Sequence, residues 1–174
     1  MRRLILLRHS KAERSSPSGR DFERPLARRG REDAATMGAY MARQGLIPER
    51  ALISPATRTR ETWNGVIASL SATPAVDHDE RLYDARAETI LKAIRQVAAP
   101  AHTLAVVAHN PGLQDIAILL IGSGDEEGRE RLAQKLPTSG LLVIDFSTDA
   151  WDQLQAGQGR LDRFVSPRLL PSAE

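Results

Sequence analysis

Arg8-His9 stands directly after the apolar run Leu4-Ile5-Leu6-Leu7. A planar cationic fork beside an imidazole can hold and attack a phosphoryl group. Two further positions offer the same kind of chemistry: Arg58, a short step after Ser54-Pro55, and His109, which ends the run from Thr103 to Ala108. Arg8 and Arg58 suit bidentate contact with phosphate oxygens, and His109 can add a hydrogen bond to a nonbridging oxygen. His9 is the expected nucleophile. Its imidazole, with an ordinary pKa of about 6.5, is substantially neutral at pH 7; one ring nitrogen can attack while a backbone carbonyl holds the other, and neighbouring arginines should lower the pKa further.

These residues converge only if the elements before them share an edge. Residues 3 to 7 and 103 to 108 read as buried strands, and Ala51-Leu52-Ile53 as a short one. Helices follow each. One runs over about 29 to 44, with Ala34, Met37 and Met41 on one face and Gly45 at its C-cap. A second opens at Ser54-Pro55, an N-cap and first-turn proline, and carries the stripe Trp63, Val66, Ile67 and Leu70. A third carries Ile90, Leu91, Ile94 and Val97; a fourth opens at Asn110-Pro111 and runs through Leu113, Ile116, Ala117 and Leu120. Leu141 to Phe146 reads as a strand and Leu161 to Val165 as an edge strand, closed by Pro167 and Pro171. Strands alternating with helices imply an α/β fold with a mostly parallel sheet, which brings Arg8, His9, Arg58 and His109 to one edge, with two helix N-termini facing it.

Composition bounds the function. A chain of 174 residues supports one sizeable core, so a single domain over 1–174 is expected. There are no cysteines, which excludes disulfides, thiolate metal sites and cysteine nucleophiles. The four apolar residues after Met1-Arg2-Arg3 are too few for a secretory or membrane-spanning segment, which leaves the cytoplasm as the expected location and no membrane partner. The pI is basic at 9.4, yet 24 basic residues nearly balance 22 acidic ones, for a net charge of +2. Basic residues crowd the first fifth of the chain. Aromatic residues make up only 4%, and with Phe22 alone interleaved there, base stacking is poorly supplied; an anionic, phosphate-bearing substrate is expected rather than nucleic acid.

Taken together, Leu7-Arg8-His9-Ser10-Lys11, Asp21-x-x-Arg24-Pro25-Leu26 with Gly30, Ser54-Pro55-x-x-Arg58-x-x-Glu61-Thr62 and Val107-Ala108-His109-Asn110-Pro111 resemble the histidine phosphatase superfamily. Their order and spacing are most similar to its small SixA-like phosphohistidine phosphatase branch. The match spans about residues 3 to 121, with Ser10 replacing the glycine that often follows the motif histidine. The resemblance implies a three-layer α/β/α, phosphoglycerate mutase-like fold, a phosphohistidine intermediate on His9, and a phosphate pocket made by Arg8, Arg58 and His109. It implies no metal and no organic cofactor.

The leaving-group acid has two candidates. Asp21 matches an acidic position before the Arg-Pro-Leu motif of SixA-like proteins; as a plain loop carboxylate it would pair with Arg20 or Arg24. Glu80 lies before Leu82-Tyr83, where many superfamily members carry their acid. Imidazole leaves more readily than an alkoxide, so a phosphohistidine phosphatase needs little acid assistance, whereas an esterase needs a carboxylic acid with a raised pKa. Four other features read as structural. His78 between Asp77 and Asp79 is a solvated turn, since adjacent residues do not easily converge on one ion. His102 is a loop residue. Gly122-Ser123-Gly124 is a turn and not a P-loop, because no Gly-Lys-Ser/Thr follows. Asp125 to Arg131 is a solvated helix face.

The expected activity is therefore hydrolysis through a phosphorylated His9, with inorganic phosphate as product. The expected substrate is phosphohistidine on a partner protein, because only about 50 residues separate Arg58 from His109, too few for the insertions that cover the site in longer superfamily members. The alternatives are a small phosphate ester as substrate and a non-catalytic module that binds phosphate or a phosphoprotein.

Overall fold

Leu4 and Leu6 point to one side of strand β1 (Arg2–Arg8), and Ile5 and Leu7 to the other. All four are at most 1% exposed, because the sheet they belong to is covered on both faces, which is what a continuous apolar run demands. The computed structural model describes residues 1–171, so the last three residues of the expected 1–174 domain lie outside the described residues. Its sheet has seven strands in the order β3-β2-β4-β1-β6-β7-β5. The others are β2 (Arg50–Ile53), β3 (Ala75–His78), β4 (Thr103–Ala108), β5 (Ile121–Gly124), β6 (Leu141–Phe146) and β7 (Gly159–Val165). β1 pairs in parallel with β4, β4 with β2, and β2 with β3. β6 runs against β1 and β7, and β7 and β5 are parallel.

Two helices cover one face. α1 (Arg28–Arg43) buries Met37 and Met41, and α2 (Thr57–Ile67) buries Trp63 and Val66, against Ile5, Leu7, Ala105 and Val107. Gly38 lets them approach, since a Cβ there would lie 2.5 Å from the Val66 carbonyl oxygen. α1 ends in a Schellman motif: Leu46 N–H donates to Met41 O at 2.9 Å, Gly45 N–H donates to Ala42 O, and Gly45 takes φ +67°. The opposite face carries α3 (Ala87–Arg95), α4 (Gly112–Leu120) and α5 (Glu126–Gln134), through Ile90, Ile94, Leu113, Ile116, Leu120 and Leu132. The architecture is the expected α/β/α sandwich with a mostly parallel sheet.

Several local expectations are corrected. Leu161 to Val165 belongs to an interior strand, because β5 pairs outside it. Gly122-Ser123-Gly124 lies in that outer strand and not in a turn; a Cβ at Gly122 would sit 2.0 Å from Gly157 O, so the glycine serves a close backbone approach. His78 ends β3 rather than forming a turn. Ser54 and Asn110 cap no helix: α2 starts at Thr57 and α4 at Gly112, after a cis Asn110-Pro111 bond. Leu70 and Val97 fall beyond their helices, although both pack against the core.

Candidate active site

The parallel strands β1, β2 and β4 end at Arg8, Ile53 and Ala108 on one edge of the sheet, and the residues that follow build the site. His9 N–H donates to Ala108 O at 3.2 Å, continuing the ladder one residue beyond β1. This brings the His9 and His109 rings to a centroid separation of 5.3 Å. His9 Nδ1 lies 2.8 Å from Ser10 O. A carbonyl only accepts, so Nδ1 carries the ring hydrogen and Nε2 keeps its lone pair. The backbone is fixed in turn by Thr62, whose Oγ1 accepts the Ser10 N–H at 2.9 Å and donates to Arg58 O at 2.6 Å.

Both imidazoles are buried, at 8% and 6% exposure. Burial is the larger cause that lowers His9 from 6.5 to about 4; Arg58, Arg8 and Arg24 add to it, and the Ser10 carbonyl bond opposes it. The arginines therefore act as expected but as the lesser cause. Burial likewise lowers His109 to about 3, helped by His9 and Arg58. Both rings are neutral at pH 7.

Arg8 Nη1 donates to Leu136 O at 3.0 Å. Arg58 spans to the loop after His9, with Nη1 donating to Asp21 O at 2.9 Å and Nη2 to Asp21 Oδ2 at 3.1 Å. Among the described residues, Arg8 Nε, Arg58 Nε and His109 Nδ1 are buried with no protein hydrogen-bond partner. Unpartnered buried polar atoms are costly, and these three, the two guanidinium N–H groups with His109 Nδ1 when it carries the ring hydrogen, could serve as a cradle for the oxygens of an anion. No group of three or more His, Cys, Asp or Glu side chains among the described residues could hold a metal ion.

Asp21 departs from what a leaving-group acid requires. Tyr83 Oη donates to its Oδ2 at 2.5 Å, Arg24 Nε to its Oδ1 at 2.9 Å, and Arg58 to both its carboxylate and its carbonyl. Led by the Tyr83 bond, these donors hold its pKa down at about 2, so the carboxylate is ionised and has no proton to give. The expected pairing with Arg24 is present, whereas Arg20 reaches Glu23. Glu80 is exposed and opens a 3-10 turn (Glu80–Leu82) whose Leu82 is buried.

Sequence reasoning gives the side chains of four residues that shape this edge no part in the site, Ser54 being expected only as a helix N-cap. Tyr83 touches Asp21 through its hydroxyl and His109 edge-on at 5.6 Å, and its ring lies 5.9 Å from the Arg58 guanidinium. Ser54 Oγ shares a 2.7 Å hydrogen bond with His109 Nε2. Ser139 Oγ bonds Ser10 Oγ at 2.6 Å. Glu61 accepts the Leu26 N–H at 2.8 Å, tying the Arg24-Pro25-Leu26 segment to α2. Ser54 and Glu61 stand inside motifs quoted above; nothing local marks Tyr83 or Ser139.

A family model described as the histidine phosphatase superfamily (branch 1) matches residues 4–89. An uncharacterized protein of Mycobacterium leprae is 32% identical over 168 residues, covering 93% of this chain and 100% of its own length. A solved structure described as a candidate phosphohistidine phosphatase SixA from Agrobacterium tumefaciens has a TM-score of 0.81 at 29% identity, over 95% of this chain and 98% of its own. Another SixA candidate, from Nakamurella multipartitia, has a TM-score of 0.81 at 25% identity, over 95% and 96% of the two chains.

Proposed function

The chain belongs to the histidine phosphatase superfamily, and on that premise we propose that it hydrolyses phosphohistidine on a partner protein through a phosphorylated His9. The observation that carries this reading is the pairing of a neutral His9, whose Nε2 lone pair is free, with unpartnered donors on Arg8, Arg58 and His109. In the first step Nε2 forms a bond to phosphorus while the bond from phosphorus to the substrate imidazole breaks. The departing ring takes the bonding pair and, with a proton from solvent on its other nitrogen, leaves neutral. Water then attacks phosphorus, and His9 is regenerated as inorganic phosphate departs. Arg8 and Arg58 neutralise the equatorial oxygens in both steps, and the neutral His109 adds a hydrogen bond to them. Ser54 acts on His109: with its hydroxyl donating to Nε2, the ring hydrogen sits on Nδ1, one of the unpartnered atoms.

The state of Asp21 favours phosphohistidine over an alkyl ester. A carboxylate held at about 2 cannot protonate an alkoxide at neutral pH, and an imidazole leaving group does not ask it to. Asp21 is better read as the anchor that orients Arg58. The relatives named as SixA candidates support the same substrate class, and action in the cytoplasm is part of the same proposal.

Trapping tests this directly. The protein is incubated with labelled phosphohistidine peptide, quenched in base where phosphohistidine survives, and digested. Label on the His9 peptide, absent in His9→Ala, is expected. Label elsewhere, or undiminished turnover by His9→Ala, overturns the mechanism; a strong preference for p-nitrophenyl phosphate and sugar phosphates overturns the substrate class.

A further inference from the structure

Beside Arg8, on the side away from Asp21, lies a cleft of about 480 Å³. Five cations line it, Arg8, Lys11, Arg29, Lys135 and Arg168, against the single carboxylate of Asp33. Asp33 is already paired with Arg29 at 3.2 Å. Lys11, Lys135 and Arg168 have no ion-pair partner among the described residues and are exposed. Proteins ordinarily intersperse the two signs on their surfaces, so three unneutralised cations around one concavity call for an anion.

The cleft adjoins the phosphate cradle through Arg8, the one residue the two share. Arg8 lines it while donating to Leu136 O, and Leu136 follows Lys135 directly. The same segment holds the backbone of the nucleophile, because Ser139 N–H donates to the Arg8 and His9 carbonyls at 3.2 and 3.1 Å. Lys11 comes two residues after His9, and Arg168 follows the end of β7. The opposite rim has another character. There Asp21, Asp79, Arg24 and Arg81 neutralise one another in close pairs. Charge on the cleft side is thus unbalanced, and a molecule seated with its phosphoryl group in the cradle would present its flanking groups to it.

We propose that this cleft binds acidic side chains of the phosphorylated protein, next to its phosphohistidine, and so selects substrates by the charge around the modified residue. The proposal rests on the phosphohistidine reading above and adds a specificity site formed by Lys11, Lys135 and Arg168. Its contribution belongs to binding, so it acts on KM and on the association rate rather than on kcat, and salt screens it.

The test compares two phosphohistidine peptides of equal length, one flanked by Asp and Glu and one by Ser and Gln, together with free phosphohistidine. The proteins are the wild type and the triple variant Lys11→Gln, Lys135→Gln, Arg168→Gln, all exposed positions outside the catalytic machinery. Three exposed ion pairs give an expected preference of about tenfold or more in kcat/KM for the acidic peptide at low salt. It should vanish in the triple variant and at high ionic strength, with turnover of free phosphohistidine unchanged. Equal handling of both peptides by the wild type overturns the proposal, as does a parallel loss on free phosphohistidine. Preference for a small bisphosphate that depends on the same three residues also overturns it, in favour of a small-molecule subsite. A binding arm separates this from the parent reading: fluorescence anisotropy with the unphosphorylated acidic peptide should show affinity that the triple variant loses. If no phosphohistidine substrate is turned over, the parent reading fails while this arm still decides the cleft.

Discussion

Acidification isolates the burial of His9. The ring is lowered to about 4, with burial as the leading cause, whereas an unfolded histidine titrates at about 6.5. At pH 5 the folded ring is then about 90% neutral, against about 3% for an unperturbed one, so the nucleophile keeps roughly a thirtyfold advantage. The stability effect has the opposite sense. Below pH 6.5 the unfolded chain takes up a proton at His9 that the folded chain refuses until about pH 4, so acidification through this window favours unfolding, by about 2 kcal/mol at pH 5 from this one ring. Two measurements check it. Proton NMR of the ring hydrogens, with His9 assigned by its absence in His9→Gln, should give a midpoint well below those of exposed histidines. Urea unfolding at pH 7 and pH 5 should show the wild type losing about 2 kcal/mol more than His9→Gln, which has nothing to titrate at that position. A His9 midpoint near 6.5, or equal losses for the two proteins, would refute the argument that burial holds this ring neutral.

Three further outcomes are expected. Asp21→Asn should slow phosphohistidine and ester hydrolysis by a similar factor, about tenfold or less, as suits loss of an exposed anchor for Arg58; a selective collapse of ester turnover in parallel kinetics would restore Asp21 as an acid. Gly30→Ala should destabilise the protein by about 2 kcal/mol or more in denaturant titrations, because its Cβ would lie 2.0 Å from the Lys11 carbonyl oxygen, which is backbone and cannot step aside. Trp151→Ala should cost about 3 to 5 kcal/mol by the same measurement, since the ring is fully buried and its Nε1–H donates to Ala101 O at 2.7 Å.

The sheet centre was legible because burial on both faces writes an unbroken apolar run, as in β1, β4 and β6. The peripheral strands were not. β5 is Ile-Gly-Ser-Gly, whose composition argues against a strand, and it exists because Gly122 permits close contact with Gly157. β3 ends in Asp77-His78 on the outer edge, with three of its four residues exposed, so no hydrophobic alternation marks it. Helix starts failed for a chemical reason. Ser54 and Asn110 have capping side chains, but those side chains are engaged elsewhere, with His109 Nε2 and with Leu136 O at 2.8 Å. For the site, strand ends located Arg8, His9 and His109, and an early helical turn located Arg58. The protonation state of Asp21 was beyond reach, because it depends on Tyr83, 62 positions away in the chain.

The donor set around Asp21 also bears on how such a chain could change its chemistry. Tyr83, Arg24 and Arg58 together keep that carboxylate ionised. Of the three, Arg58 is itself a member of the phosphate cradle, whereas Arg24 and Tyr83 lie outside it, Tyr83 packed edge-on against His109 and beside Arg58. Replacing either by an apolar residue would let the carboxyl pKa rise while leaving the nucleophile in place. On the phosphohistidine reading, one or two substitutions on the rim would therefore loosen the hold on this carboxyl without disturbing the core that built the site.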